Sequence, residues 1–140
     1  MAKKVLIIST SLRGGSNSDI LAKECEKGAK EAGHEVEYIT LKGKEIKYYE
    51  MCGQMKTLLD RLNPLYPTEY KFRDIYMIAT AAEDEETTFD KAYNGLQGWV
   101  DCFEKAELKG IVTGGGIDGA NDAAKHGDVM KKAYELGKRL

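Results

Sequence analysis

Short apolar runs alternate along the chain with longer amphipathic stretches. Runs with the length and β-branched content of buried strands lie at 4–10, 36–41, 72–80 and 109–113. Stretches with apolar residues at helical spacing lie at 19–32, 53–62, 87–106 and 121–139. Strands that alternate with helices predict an α/β fold with a parallel sheet covered on both faces. In such a sheet, ligands bind beyond the carboxyl ends of the strands.

Composition narrows the class of protein. A chain of 140 residues predicts a single domain, and a net charge of −2 with 31% charged residues gives no basic surface for nucleic acid or for a membrane. No run is long enough to span a bilayer, and the N-terminus lacks the apolar stretch of a secretion signal. Cys25, Cys52 and Cys102 are odd in number and widely spaced, which favours free thiols. We expect a soluble, cytoplasmic protein.

The loop after the first strand carries most of the candidate chemistry. Five hydroxyl side chains, Arg13, an asparagine and two glycines lie between Ser9 and Asp19. These residue types are also common in ordinary turns, but the loop is richer in donors than a tight strand-to-helix turn needs. Because the first N–H groups of a helix are unpaired, the loop is predicted to bind phosphate. It is not a nucleoside-triphosphatase loop, since no Gly-Lys-Ser/Thr occurs.

Two other motifs are weaker. The run Gly114–Gly119 formally matches a dinucleotide fingerprint, but only one helix follows it, so we interpret it as a turn near the ligand cleft. The acidic run Glu83–Glu86 precedes a helix and is typical of a solvated helix start rather than of a metal site. No catalytic dyad is evident for His34, His126 or Cys52, and Trp99 is predicted to lie in the core.

With these residues, the chain resembles the flavodoxin-like NAD(P)H-dependent FMN reductases, in particular the branch close to iron–sulfur flavoproteins. The resemblance covers nearly the whole chain and rests on 4–19 (KVLIISTSLRGGSNSD), 31–41 (EAGHEVEYITL), 49–61 (YEMCGQMKTLLDR), 76–82 (YMIATAA) and the glycine turn after the last strand. It implies a three-layer, doubly wound parallel sheet, FMN as cofactor, and a homodimer. It also implies electron transfer from NAD(P)H to a flavin, a quinone or a redox partner.

The resemblance further implies which residues contact the cofactor. The FMN phosphate would be held by Ser11, Arg13, Ser16, Asn17 and Ser18. One side of the flavin ring would be lined by Tyr49, Met51, Gly53 and Gln54, and the other side of the cleft by Ala81, Ala82 and Glu83. No catalytic acid or base and no metal ligand is implied.

The chain departs from the family pattern after Lys47, where a helix and the central strand have no counterpart. Either the unit is truly lost, which predicts four strands in the order 2-1-4-5 by the family's numbering, or the sequence lacks a stretch that the natural polypeptide carries. The Thr-Pro turn that presents backbone to the flavin ring is missing with it. Two rival functions therefore stand beside the reductase: a flavodoxin-type electron carrier, and a shortened scaffold that has lost flavin and oligomerises by strand exchange.

Overall fold

The structure is a computed structural model that describes residues 1–11, 15–40 and 53–140. For Gln54 it describes only the backbone. In the described residues, strands and helices alternate in this order: β1 (Lys4–Ser9), α1 (Asn17–Glu31), β2 (Glu35–Thr40), α2 (Gly53–Leu62), β3 (Asp74–Thr80), α3 (Asp90–Val100), β4 (Glu107–Gly114) and α4 (Gly127–Arg139). Short 3₁₀ turns follow α2 at Asn63–Leu65 and precede α4 at Asp122–Lys125. The α/β class and the alternation predicted from periodicity are confirmed.

Two of the predicted helices are shorter than expected. Helix α3 ends at Val100 rather than near 106, because the chain then turns to bury the Phe103 ring, which is 1% exposed. Helix α4 begins at Gly127 rather than near 121, because Asn121 has a left-handed backbone (φ 63°) that an α-helix cannot continue. In the 3₁₀ turn that takes the place of the first predicted helical turn, Ala123 is buried and Ala124 is exposed.

The strands form two parallel pairs. Strand β1 pairs with β2 from Lys4↔Glu35 to Ser9↔Thr40, and β3 pairs with β4 from Asp74↔Glu107 to Thr80↔Gly114, with one register shift after Ile75. The predicted single sheet, 2-1-4-5 in the family's numbering, corresponds to the order β2-β1-β3-β4. Within the described residues no pairing joins β1 to β3, so this order is not confirmed. The segment 41–52, where the family unit is missing, lies outside the described residues.

Two apolar clusters cover the β3–β4 pair, one on each face. The first packs α1 and α4 against the strands and contains these buried residues: Leu21, Cys25, Val112, Ile117, Ala123, Val129, Ala133 and Leu136. The second lies between α2 and α3 and contains Leu59, Leu96 and Val100, with Trp99 packed against it. The Trp99 indole N–H donates to the Leu59 carbonyl at 3.1 Å and to Asn63 Oδ1 at 2.9 Å, as suits a core residue.

The β1–β2 pair is covered less completely. Ile7 of β1 packs into the first cluster beneath α1. Leu6 lies on the opposite face and is 54% exposed, and its neighbour across the pair, Glu37, is also exposed. One face of this pair is therefore open among the described residues, unlike the β3–β4 pair. No helix in the described ranges combines the length and apolarity that a bilayer span needs.

Helices α1 and α4 approach each other very closely. A Cβ atom built on Gly28 of α1 would lie 2.1 Å from the Tyr134 carbonyl oxygen, and one built on Gly137 of α4 would lie 2.0 Å from the Cys25 carbonyl oxygen. Only glycine fits at these two crossing points. This packing brings the carboxyl half of α1, which contains Cys25 and Gly28, against α4.

Candidate functional site

Three loops meet at the carboxyl ends of β1, β3 and β4. Backbone hydrogen bonds join the loops after β3 and β4: the Ala81 N–H donates to the Gly114 carbonyl at 3.0 Å, and the Ile117 N–H donates to the Ala81 carbonyl at 2.9 Å. Gly116 adds a bond from its N–H to the Glu83 carbonyl. The glycine turn thus lies at the edge of the sheet where a ligand is expected, in agreement with its interpretation as a turn rather than a dinucleotide fingerprint.

The amino end of α1 has the features of an anion site. Ser16 caps the helix, its Oγ accepting the Asp19 N–H at 3.3 Å. The N–H groups of Asn17 and Ser18 find no acceptor among the described residues. Gly15, just before the cap, has φ 68°, which lets the chain enter the helix through a sharp turn. Unpaired N–H groups at the positive end of the helix dipole favour a phosphate.

Asn17 is already engaged in hydrogen bonds with the loop after β4. Its Nδ2 donates to the Gly119 carbonyl at 2.9 Å and, more weakly, to the Ile117 carbonyl at 3.5 Å. Its Oδ1 accepts the Ala123 N–H at 2.9 Å. Both the nitrogen and the oxygen of its side-chain amide are therefore engaged by residues about a hundred positions away, and its backbone N–H is the donor that has no acceptor among the described residues.

Asn121 brings the loop after β4 into contact with Gly15, in the loop between β1 and α1 that we call the phosphate loop. A Cβ atom built on Gly15 would lie 2.9 Å from Asn121 Oδ1, so the two residues are in direct contact. Asn121 is the one non-glycine residue with positive φ in the described part of the chain. Its side chain is exposed, and within the described residues no hydrogen bond engages its amide.

A buried carboxylate lies beneath the first turn of α1. Tyr38 donates its hydroxyl to Asp19 Oδ1 at 2.7 Å, and Lys23 forms an ion pair with Oδ2 at 3.0 Å. Burial raises the pKa of Asp19, but these bonds, the nearby Ser9 hydroxyl and the Lys23 charge together lower it below its usual value. Burial and the adjacent carboxylate raise the pKa of Tyr38. The Ser9 Oγ is buried and makes no hydrogen bond within the described residues. It lies close enough to Asp19 and Tyr38 that it acts to lower the pKa of each.

The residues implied for the cofactor site are only partly brought together. Ser11, Ser16, Asn17 and Ser18 lie along the loop and first turn, all half-buried. On the β3 side Ala81 is half-buried, whereas Ala82 and Glu83 are exposed. Gly53 and Gln54 begin α2. Arg13, Tyr49, Met51 and the Gln54 side chain lie outside the described residues, so the ring side of the predicted cleft stays a prediction.

Asn121 and the Asp19–Tyr38 pair were not singled out from the sequence. Asn121 lies in a segment predicted to begin a helix, and no local pattern reveals its contact with Gly15. The Asp19 N–H donates to the Ser16 Oγ, but the Asp19 carboxylate binds Tyr38 and Lys23 and does not close a capping box. In the described residues, no group of three His, Cys, Asp or Glu side chains is arranged to hold a metal ion.

The alternating helices and parallel strands are those of an α/β protein and are consistent with a flavodoxin-like fold. The family model of NADPH-dependent FMN reductase matches residues 3–52, which include β1, the phosphate loop, α1 and β2. The match confirms the resemblance over this part of the chain. That family consists of NAD(P)H-dependent oxidoreductases that bind FMN. No curated protein and no solved structure matches the chain significantly.

Proposed function

We propose that this chain binds FMN through the loop between β1 and α1 and acts as an NAD(P)H-dependent oxidoreductase that passes electrons to a flavin, a quinone or a redox partner. The observation that carries the proposal is the pair of N–H groups on Asn17 and Ser18, beside the Ser16 cap, that have no acceptor among the described residues. This arrangement lies entirely within the stretch that matches the FMN reductase family.

The described residues fit the phosphate end of FMN. Gly15 presents no side chain toward the loop, and its positive φ turns the backbone sharply into α1. The Ser11 and Ser18 hydroxyls add donors along the same stretch, and Arg13 of this loop adds a permanent positive charge. Amide, hydroxyl and guanidinium donors together are the set that a phosphate dianion prefers.

When bound, FMN supplies the redox chemistry, accepting hydride from a nicotinamide and passing electrons on. The task of this chain is to bind and orient the cofactor. That division of labour requires no protein acid or base at the hydride step, which is consistent with the lack of a catalytic dyad in the sequence.

Titration of the apoprotein with FMN tests the proposal. We expect Arg13→Ala to weaken FMN binding about tenfold to a hundredfold, the worth of a charge-assisted hydrogen bond, while leaving the circular dichroism spectrum unchanged. Arg139→Ala is the matched control, because Arg139 is exposed at the far end of α4. Equal FMN affinity in wild type and Arg13→Ala would remove Arg13 from the site, and a wild type that binds no FMN would refute the proposed function.

Steady-state kinetics separate the reductase from an electron carrier. A reductase oxidises NAD(P)H at a rate that rises with added free FMN or quinone, whereas a flavodoxin-type carrier holds FMN and does not react with nicotinamide directly. The modest net charge of −2 supports the reductase, since flavodoxins carry a far more acidic surface.

We also propose that the chain assembles as a homodimer, with a strand exchanged between copies as one form of that assembly. Isolated two-stranded sheets are only marginally stable, and unpaired strand edges attract other strands. Within the described residues, β1 and β3 each pair on one side only, which supports this assembly. Light scattering on the purified protein tests it: a dimer mass is expected, and a monomer at micromolar concentration would refute it.

A further inference from the structure

The hydrogen bonds of Asn17 give this residue a role other than direct contact with phosphate. We propose that Asn17 is a positioning residue, which fixes the segment 117–123 against the phosphate loop and thereby places the Asn121 amide in contact with the bound FMN. This inference rests on the proposed FMN site.

The Asn17 amide is engaged at both its nitrogen and its oxygen by described residues. Its Nδ2 serves the Gly119 and Ile117 carbonyls, and its Oδ1 accepts from Ala123. Turning the amide toward a ligand would break all three bonds. Because its amide is engaged in this way, Asn17 affects ligand binding through the position of the residues that it hydrogen-bonds.

The segment 117–123 that Asn17 contacts is also anchored by other residues. Ile117 and Ala123 are both buried in the cluster beneath α1 and α4. Between them, the Gly119 N–H donates to Asp122 Oδ2 at 2.6 Å, and the Asp122 N–H donates back to the Gly119 carbonyl at 3.2 Å. Asp122 is further held by an ion pair with Lys125 at 2.7 Å.

Asn121 lies within that anchored segment. It touches Gly15 of the phosphate loop, and its amide is exposed with no hydrogen bond to a described residue. Its left-handed backbone is costly for most side chains and is tolerated by asparagine. An amide that no described residue engages, held beside Gly15, is available to form a hydrogen bond with the cofactor.

A double-mutant cycle with hydrogen exchange tests the inference. The variants are Asn17→Ala, Asn121→Gly, and the two combined, with Asn94→Ala on the exposed face of α3 as the control. Glycine is chosen at 121 because it removes the amide and keeps the positive φ accessible. Each variant is titrated with FMN, and amide exchange is measured on the apoprotein.

We expect Asn17→Ala to speed exchange in 117–124 and to weaken FMN binding about fivefold to tenfold, roughly the worth of one hydrogen bond. Asn121→Gly should weaken binding with no change in exchange elsewhere. The double variant should bind FMN no more weakly than Asn17→Ala alone, because Asn17 acts through Asn121.

Three results would overturn the inference: unchanged exchange in Asn17→Ala, losses that multiply in the double variant, or full FMN affinity in Asn121→Gly. If Asn17→Ala fails to fold, the affinity of Asn121→Gly decides. A wild type without FMN affinity would refute the proposed function together with this inference. If the wild type binds FMN and Asn121→Gly binds it equally tightly, the inference alone is refuted.

Discussion

Helices α1 and α4 cross at Gly28, where a methyl group has no room. A Cβ atom there would lie 2.1 Å from the Tyr134 carbonyl oxygen and 3.0 Å from its carbonyl carbon, more than an ångström inside ordinary van der Waals contact with the oxygen. The obstacle is backbone, so no side-chain rotation relieves it. Gly28→Ala therefore forces the two helices apart at the point where α1 is held over the strands.

The expected cost can be set against the gain in helix propensity. Overpacking of this kind costs about 1–3 kcal/mol or more. Alanine in a helix interior is favoured over glycine by about 1 kcal/mol. A backbone clash belongs at the upper end of the overpacking range, so in Gly28→Ala a cost of about 3 kcal/mol less a gain of about 1 kcal/mol should lower the free energy of unfolding by about 2 kcal/mol or more.

Gly98 provides the matched control. It lies inside α3, and a Cβ atom built on it meets nothing within 4 Å. Gly98→Ala should raise the free energy of unfolding by about 0.5–1 kcal/mol, because only the propensity changes. Urea denaturation followed by circular dichroism measures both variants. If Gly28→Ala were as stable as Gly98→Ala, the close crossing of α1 and α4 would be refuted.

Two further predictions concern titratable groups. Because the pKa of Asp19 is lowered in the folded protein, its bonds stabilise the fold above about pH 4 and lose that effect as pH falls through the folded pKa. Asp19→Asn should thus cost about 1–2 kcal/mol near neutral pH, with a shrinking difference from wild type in acid; a difference independent of pH would contradict this. Burial raises the pKa of the Cys25 thiol to about 11, whereas Cys102 is exposed. At mildly alkaline pH iodoacetamide should modify Cys102 well before Cys25, as followed by peptide mass spectrometry, with both reacting alike in denaturant; equal rates in the native protein would contradict the burial.

The order of elements could be predicted from the sequence because it depends on local periodicity. The run Lys4–Ser9 is continuously apolar except at its ends, and α1 carries its cap and its closing glycine in the sequence itself. Such signals need no knowledge of remote contacts. Boundaries failed where a remote contact decides them, as at Phe103, whose burial ends α3 early.

Of the candidate site, only the presence of hydrogen-bond donors in the loop could be predicted from the sequence. Hydroxyl and amide residues in one loop before a helix indicate an anion site without reference to the rest of the fold. The engagement of Asn17 by Gly119 and Ala123 could not be predicted, because its partners lie about a hundred residues away. The same holds for Asn121, whose contact with Gly15 depends on how α4 is joined to β4.

The central claim is that the loop between β1 and α1 binds the phosphate of FMN. Calorimetric titration of the apoprotein with FMN and with riboflavin, which lacks the phosphate, tests it most directly. The charge-assisted bonds of such a loop predict that FMN binds at least about tenfold more tightly than riboflavin. Equal affinities for the two flavins would contradict the account.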